Sequence, residues 1–415
     1  MAKRKLNIAF IGHGHRGIGI LKLLLEMDDV NVVGVCDRYD DRLEEAKQAV
    51  INAKGKEPVA TKDYHELLAM KTVDAVVTPS SWESHINICI DAMNAGKAVG
   101  SEVGGAYSIN ELWELVRTQE RTGKVCMLLE NCCYGKKELA VLNMVKQGIF
   151  GELIHAEGGY RHDLREEIGM GDRIRHYRLE NYTARNGELY PTHELGPIAK
   201  NLGINRGNRM VSLTAMASKS RGVVEWAKQH RTDDDVITSR VFNEGDIVQT
   251  MIKCANGETI LLTHDTSLPR PYSRANVLQG TKAIWSEDCN GIYIDGVSPE
   301  AHTWENFEKT VYEKYNHPLW EEFEKEGVKG GHGGMDWLVL RAFVESVKND
   351  KKPPIDVYDM ASWMAITCLS EESIALGSAP VAIPDFTNGK WIRREPYDKG
   401  KYCLDEVDFD AFKKK

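Results

Sequence analysis

The chain opens with Leu6-Asn7-Ile8-Ala9-Phe10-Ile11-Gly12-His13-Gly14-His15-Arg16-Gly17, an apolar run the length of a buried parallel strand that meets glycines spaced G-x-G-x-x-G. A helical pattern follows through Ile18, Leu21, Leu24 and Leu25, then a second strand over residues 30–36 that ends at Asp37, 20 residues past Gly17. A lone glycine motif is an ordinary loop; strand, glycine turn, helix, strand and acid in this order read as a dinucleotide site. Gly12 permits the tight turn and Gly14 lets the backbone approach a pyrophosphate. Gly17 allows close helix packing, and the helix N-terminus faces the negative charge. Asp37 would accept hydrogen bonds from the adenosine ribose and repel a 2′-phosphate, which favours NAD over NADP. Arg38 beside it weakens that preference, because a guanidinium there could pair with a phosphate.

The alternation continues outward. Residues 65–68 read as helical and 73–77 as a strand, and 78–85 form the loop beyond its carboxyl end. Residues 86–95 read as a helix, and 98–99 start a strand leading into Ser101-Glu102-Val103. Ligands of such folds sit at the carboxyl ends of parallel strands, so Trp82, His85 and Glu102 are expected near the nicotinamide half. A plainer reading stands beside it: Trp82 covers apolar surface and His85 caps the next helix. Strand-like runs at 154–158, 210–216, 248–254, 259–264 and 283–285 suggest a second, open, largely antiparallel sheet. Helical patterns occupy 304–326, 337–347 and 360–374. The expected fold is α/β: an N-terminal Rossmann domain with a doubly wound parallel sheet over residues 1–128, then an α+β domain over 129–415.

Composition narrows the partners. The 415 residues carry a net charge of −9, which gives no electrostatic case for nucleic acid or an anionic membrane surface. The basic start, Met1 to Lys5, reads as solvated; the apolar run after it breaks at Gly12, too soon for a signal peptide, and no stretch is long enough to span a membrane. Nine cysteines without framework or zinc spacing fit a reduced, cytoplasmic setting, and no metal cluster stands out.

The opening resembles the Gfo/Idh/MocA oxidoreductases, whose common members carry Glu-Lys-Pro where this chain has Glu102-Val103-Gly104; the catalytic lysine of a plain dehydrogenase is missing. The remainder is similar to a narrower branch, glycoside hydrolase family 109, the NAD-dependent α-N-acetylgalactosaminidases. The matching pieces are Trp82-Glu83-Ser84-His85, Glu102-Val103, Leu129-Glu130-Asn131-Cys132-Cys133-Tyr134 and Gly158-Gly159-Tyr160-Arg161-His162-Asp163-Leu164-Arg165. Tyr190-Pro191-Thr192-His193, Arg270-Pro271-Tyr272 and Gly330-Gly331-His332-Gly333-Gly334-Met335-Asp336 complete them. The resemblance implies NAD against His15, Arg16, Asp37, Trp82, Glu83, Ser84, His85, Glu102, Val103 and Asn131. It implies a sugar against Tyr160, Arg178, Tyr190, Pro191, Thr192, His193 and Tyr272. Gly104 stands where the family more often has proline, and the secretion signal of many members is not found.

The implied chemistry explains why these segments are rich in Tyr, His and Arg instead of showing the usual carboxylate pair. Hydride passes from sugar C3 to NAD, the ketone acidifies C2–H, a base takes that proton, and the C1 leaving group departs. Water then adds and the hydride returns, so the cofactor stays bound. His193 is the expected base for the C3 hydroxyl, because imidazole titrates near neutrality. Tyr160 is the expected C2 base, with Arg161, His162 and Arg178 as cations able to favour its ionised form. Tyr190 and Tyr272 would hold hydroxyls or stack on the ring, and Arg178 would bind an N-acetyl carbonyl. Without the family, each of these reads as packing: a half-buried tyrosine, Thr192 as a helix N-cap, the glycines around His332 as a lid or a turn, Glu130 as a site residue or a strand-end cap. Two other functions stay open: a conventional NAD-dependent sugar or cyclitol dehydrogenase, and a non-catalytic regulator that binds NAD and sugar. A homo-oligomer is expected by analogy with the broader family.

Overall fold

The computed structural model describes residues 4–232, 236–394 and 399–413. The start of the basic segment (residues 1–3) and the last two lysines lie outside these. Two compact units result, Met1–Lys136 with His317–Ala361 and Glu395–Lys415, and Lys137–Asn316 with Ser362–Arg394. The first unit runs to Lys136 and takes in two later segments of the chain.

The first unit holds six parallel strands, β1 (Leu6–Ile11), β2 (Val30–Cys36), β3 (Val59–Thr61), β4 (Ala75–Thr78), β5 (Ala98–Ser101) and β6 (Cys126–Leu128), in the order β3-β2-β1-β4-β5-β6. Ile8, Ala9, Phe10, Val76, Val77 and Val99 are fully buried, which is why these strands read as continuous apolar runs and not as alternation. The connecting helices are α1 (His15–Glu26), α2 (Asp40–Lys54), α3 (Tyr64–Ala69), α4 (Trp82–Asn94) and α5 (Ile109–Thr122). The strand order reverses between β1 and β4, the place where a doubly wound sheet opens a ligand crevice. One local reading is corrected. Trp82 to His85 are not loop but the first turn of α4, entered from the extended Ser81 with Glu83 favourably placed near the helix N-terminus. The later helix Met335–Lys348 buries Leu338, Val339, Leu340, Phe343 and Val344.

The second unit is built on a nine-stranded sheet. Its strands are β7 (Leu153–Arg161), β8 (Met210–Ala217), β9 (Ile247–Cys254), β10 (Thr259–Asp265), β11 (Val277–Gly280), β12 (Ala283–Ser286), β13 (Gly291–Ile294), β14 (Glu305–Asn306) and β15 (Val381–Ala382). They lie in the order β14-β13-β12-β11-β7-β10-β9-β8-β15. All pairs are antiparallel except β7 with β10, in which Tyr160 and His264 are partners. The helix Thr192–Asn201 packs on β7 where Gly158 leaves room, since a Cβ there would lie 2.7 Å from Glu194 Cβ. All nine cysteines are free thiols, seven of them buried. Among the described residues no helix is long and apolar enough to cross a membrane.

Candidate active site

The glycine turn after β1 is held by close backbone approach. Gly12 has φ +100°, and a Cβ on it would lie 2.7 Å from Ser80 Cα in the turn after β4. A Cβ on Gly17 would meet Gly12 O at 2.3 Å. Gly14 differs: its backbone is ordinary and the nearest atom to a Cβ would be Arg42 Nη1 at 3.8 Å, so the space in front of it is open. The N-cap residue Gly14 has no side chain with which to cap α1, which suits the helix's first N–H groups to an anion. Asp37 is buried and accepts from the N–H groups of His13 (2.7 Å) and Tyr39 (2.9 Å), which locks the turn to the acid. These features fit NAD.

Around them, His85 is buried and lies 2.9 Å from Ser80 O through Nε2; burial pushes its pKa down to about 4, so the neutral ring donates and steadies the turn against Gly12. Trp82 is 1% exposed, and a Cβ at residue 104 would lie 2.5 Å from its Cδ1, so the glycine in place of the family's proline matches the indole. His15 and Glu83 are exposed, and Ser84 Oγ donates to Ser80 Oγ at 2.7 Å. Glu102, Val103 and Asn131 are buried at the ends of β5 and β6. The Arg16 guanidinium does not stand free: it donates to Glu102 (2.9 Å) and to both oxygens of Asp336 (2.6 and 2.8 Å), and Asn131 donates to Asp336 at 2.7 Å. Burial alone would raise the Asp336 carboxyl, but hydrogen bonds from Arg16 and His332 hold it far below the usual range. Glu130 accepts from Cys132 N at 3.0 Å, a cap on the short turn Asn131–Tyr134.

A second cluster lies on the face of the second sheet that carries the helix Thr192–Asn201. Tyr160, near the end of β7, has its ring 4.5 Å from Tyr190, 5.7 Å from His193 and 6.2 Å from His264. Its hydroxyl is 3.3 Å from His162 Nδ1, and that of Tyr190 is 3.5 Å from His193 Nε2. Arg178 is buried, lies 5.4 Å over the Tyr190 ring and pairs with Glu167. Burial works against its charge, yet Tyr177, Glu167 and Tyr160 hold it cationic. The expected cations separate here. Burial and Arg178 push His162 down, so it serves as a neutral partner, and Arg161 turns to Asp288 (3.5 Å) because neighbouring strand residues face opposite sides. Arg178 is therefore the cation at Tyr160. Tyr272 is half exposed, edge-on to His162 at 5.0 Å. Pro191, not Thr192, takes the N-cap position; Thr192 begins the helix with its hydroxyl buried and without a hydrogen-bond partner among the described residues.

Behind the cluster sits a buried group that periodicity could not reveal. His264 Nε2 is 2.8 Å from the Tyr182 hydroxyl, which is 2.6 Å from Thr266 Oγ1, and His264 Nδ1 is 3.3 Å from Glu188. Burial, with Glu188 nearby, pushes the Glu244 carboxyl well up.

The family model for the glycosyl hydrolase 109 C-terminal domain matches residues 134–393, and a family 109 protein of Stenotrophomonas maltophilia is 43% identical, covering 96% of this chain and 93% of its own. The chain belongs to glycosyl hydrolase family 109. The α-N-acetylgalactosaminidase of Tannerella forsythia is 39% identical over 94% of this chain and 88% of its own. Residues 6–129 of this family 109 chain match the oxidoreductase family with an NAD-binding Rossmann fold. Its fold is shared by an NAD-binding oxidoreductase of Klebsiella pneumoniae (TM-score 0.68, 17% identity, 92% of this chain and 99% of that one) and by levoglucosan dehydrogenase in complex with NADH (0.67, 16%, 92% and 100%).

Proposed function

We propose that this family 109 protein cleaves α-N-acetylgalactosaminides through a transient, redox-neutral oxidation of the sugar. The observation that carries the reading is the meeting of Tyr160, Tyr190, His193 and Arg178 on one sheet face of a family 109 chain. Bound NAD supplies a reversible hydride acceptor for sugar C3. His193, half-buried and next to Tyr190, takes the proton of the C3 hydroxyl. Tyr160 takes the C2 proton, its oxygen facing the neutral His162, with Arg178 supplying the positive charge a tyrosinate needs. Thr192 and Tyr272 bind sugar hydroxyls, and Arg178 turns an N–H to the acetamido carbonyl. In the first unit Gly12, Gly14 and Gly17 shape the dinucleotide turn, with His15, Arg16, Asp37, Trp82 to His85, Glu102, Val103 and Asn131 around the cofactor. The chain acts as a homo-oligomer in the cytoplasm; nine free thiols support the compartment, and exposed Met216 and Met251 on the second sheet support self-association.

The test follows nitrophenol and NADH absorbance together on 4-nitrophenyl α-N-acetylgalactosaminide. Nitrophenol release without accumulating NADH, lost on cofactor removal and in His193→Ala, is the expected result. Stoichiometric NADH from a free sugar, with no glycoside cleaved, would replace the reading with a conventional dehydrogenase.

A further inference from the structure

Behind Tyr160 lies a set of polar side chains that the reaction proposed above does not use. Tyr182, Glu188, Glu244, His264 and Thr266 are all buried, the two carboxyl groups completely. Glu244 Oε2 accepts from the N–H of Gly187 at 2.9 Å; burial, with Glu188 nearby, pushes this carboxyl well up, so Glu244 is held as the neutral acid. The His264 ring lies between the two acids, its Nδ1 facing Glu188 Oε1 at 3.3 Å and its Nε2 4.0 Å from Glu244 Oε1. No other group reaches Nδ1 among the described residues, so Glu188 sets that side of the ring. Burial also pushes the Tyr182 phenol well up, and it keeps its hydrogen. With hydrogen on Nδ1 toward Glu188, Nε2 accepts from the Tyr182 hydroxyl (2.8 Å), and Thr266 Oγ1 donates to the same phenol oxygen (2.6 Å). The hydrogens then run one way, from Thr266 through Tyr182 and His264 to Glu188.

Both ends of this chain reach the reacting groups. His264 on β10 is the register partner of Tyr160 on β7, so the two rings stand on one sheet face, 6.2 Å apart and 27° from parallel. Tyr182 lies four residues after Arg178 on the short helix Arg178–Ala184, and positions four apart share a helix face. A seven-residue helix has little stability of its own, so its place depends on what its side chains grip. His264 and Thr266 grip Tyr182, and Arg178 is thereby set 5.4 Å over the ring of Tyr190, itself 4.5 Å from that of Tyr160. Glu188 is anchored in turn: its N–H donates to Ser370 Oγ at 2.8 Å and its carbonyl accepts from Thr367 Oγ1 at 2.7 Å. Apolar side chains would fill this space without the desolvation cost of five buried polar groups; what the polar set adds is direction.

We propose that Glu188, His264 and Tyr182 are positioning residues for the C2 proton transfer, fixing the Tyr160 ring and the Arg178 guanidinium in the relation that favours a tyrosinate. The inference rests on the reading of Tyr160 as the C2 base and Arg178 as its cation. It assigns no reacting atom to the three residues.

Deuterium incorporation at C2 of N-acetylgalactosamine, followed by mass spectrometry on the NAD-loaded protein across pH, reads that relation, and transient NADH absorbance reads the hydride step beside it. Tyr182→Phe removes one oxygen while keeping ring and charge. It should move the midpoint of C2 exchange up by about one pH unit, so that exchange below the midpoint falls roughly tenfold, while the NADH signal and NAD affinity stay at wild-type values. Thr266→Val should give part of the same shift, and Thr266→Ser, which keeps the hydroxyl, should recover it. A purely structural role would lower the melting temperature and the active fraction without moving the midpoint. An unmoved midpoint in Tyr182→Phe overturns the proposal, and Thr266→Val decides it in the same way if Tyr182→Phe fails to fold. Exchange that persists in Tyr160→Phe removes the base assignment instead, a distinguishable failure.

Discussion

Two glycines two residues apart should fail in opposite ways when given a methyl group. At Gly12 the backbone lies at φ +100°, and an added Cβ falls 2.7 Å from Ser80 Cα and 2.8 Å from Ser80 N, both main-chain atoms that cannot rotate aside. The left-handed conformation costs about 1–2 kcal/mol and the forced shift about 1–3 more. Gly12→Ala should therefore lose about 3 kcal/mol, a fall in Tm on the order of 10 °C for a unit of this size. At Gly14 the conformation suits any residue, and the nearest atom to the new Cβ is 3.8 Å away at the tip of a flexible arginine. Gly14→Ala should leave Tm unchanged or raise it slightly, through a stiffer unfolded chain. The same methyl fills the space through which the backbone would meet a pyrophosphate, and loss of one N–H contact to a charged oxygen weakens NAD by roughly 10–100-fold. Calorimetry without cofactor and titration with NAD separate the two effects. Wild-type NAD affinity in Gly14→Ala, or a Tm loss there matching Gly12→Ala, would refute the placement of the cofactor at this turn.

Three further outcomes are expected. Tyr160→Phe should abolish glycoside cleavage and exchange of the substrate C2 hydrogen with deuterated water while leaving NAD affinity intact, checked by mass spectrometry and titration. Gly104→Ala places a Cβ 2.5 Å from Trp82 Cδ1, so it should cost about 1–3 kcal/mol and shift the tryptophan emission; an unshifted spectrum and Tm would contradict this packing. His13 and His85 are both lowered from 6.5 to about 4 by burial, with Asp37 opposing the shift at His13 and the Ser80 carbonyl at His85. Between these values the unfolded chain binds the extra protons. Stability should be full above pH 6.5 and fall as pH drops toward 4, by a ceiling of about 3 kcal/mol per histidine, seen as a midpoint shift in urea titrations across that range.

The Rossmann half was legible because its strands are buried on both faces and its glycines have fixed roles, so Leu6 to Asp37 carries the pattern in contiguous sequence. In the second sheet the strands of seven to nine residues and the short apolar run Ala283-Ile284-Trp285 of β12 were legible; β11, β13, β14 and β15 have two to four residues, too few for a period to show. The start of α4 was missed because, of Trp82 to His85, only Glu83 favours a helix, and the stretch follows Pro79-Ser80-Ser81. Tyr160, Tyr190 and His193 were reached through family resemblance, since no local rule separates a site tyrosine from a packed one. Asp336, His264, Glu188 and Tyr182 act through partners tens to hundreds of residues away, and only the tertiary structure names those.

The parallel pairing of β7 with β10 sets the order in which this molecule can become whole. Tyr160 and His264 are cross-strand partners 104 residues apart, and the intervening chain must close before either ring has its neighbour. Loop closure of that length is an entropic cost met before any contact rewards it, and such topologies refold slowly. β10 is also the hairpin partner of β9 and the support of Tyr182 through His264, so a chain ending before residue 259 retains every tyrosine and histidine of the cluster except His264 and Tyr272, yet has no strand to hold Tyr160 from that side. The tyrosine cluster is thus a late product of folding, and a nascent chain acquires it only after its middle third has been made.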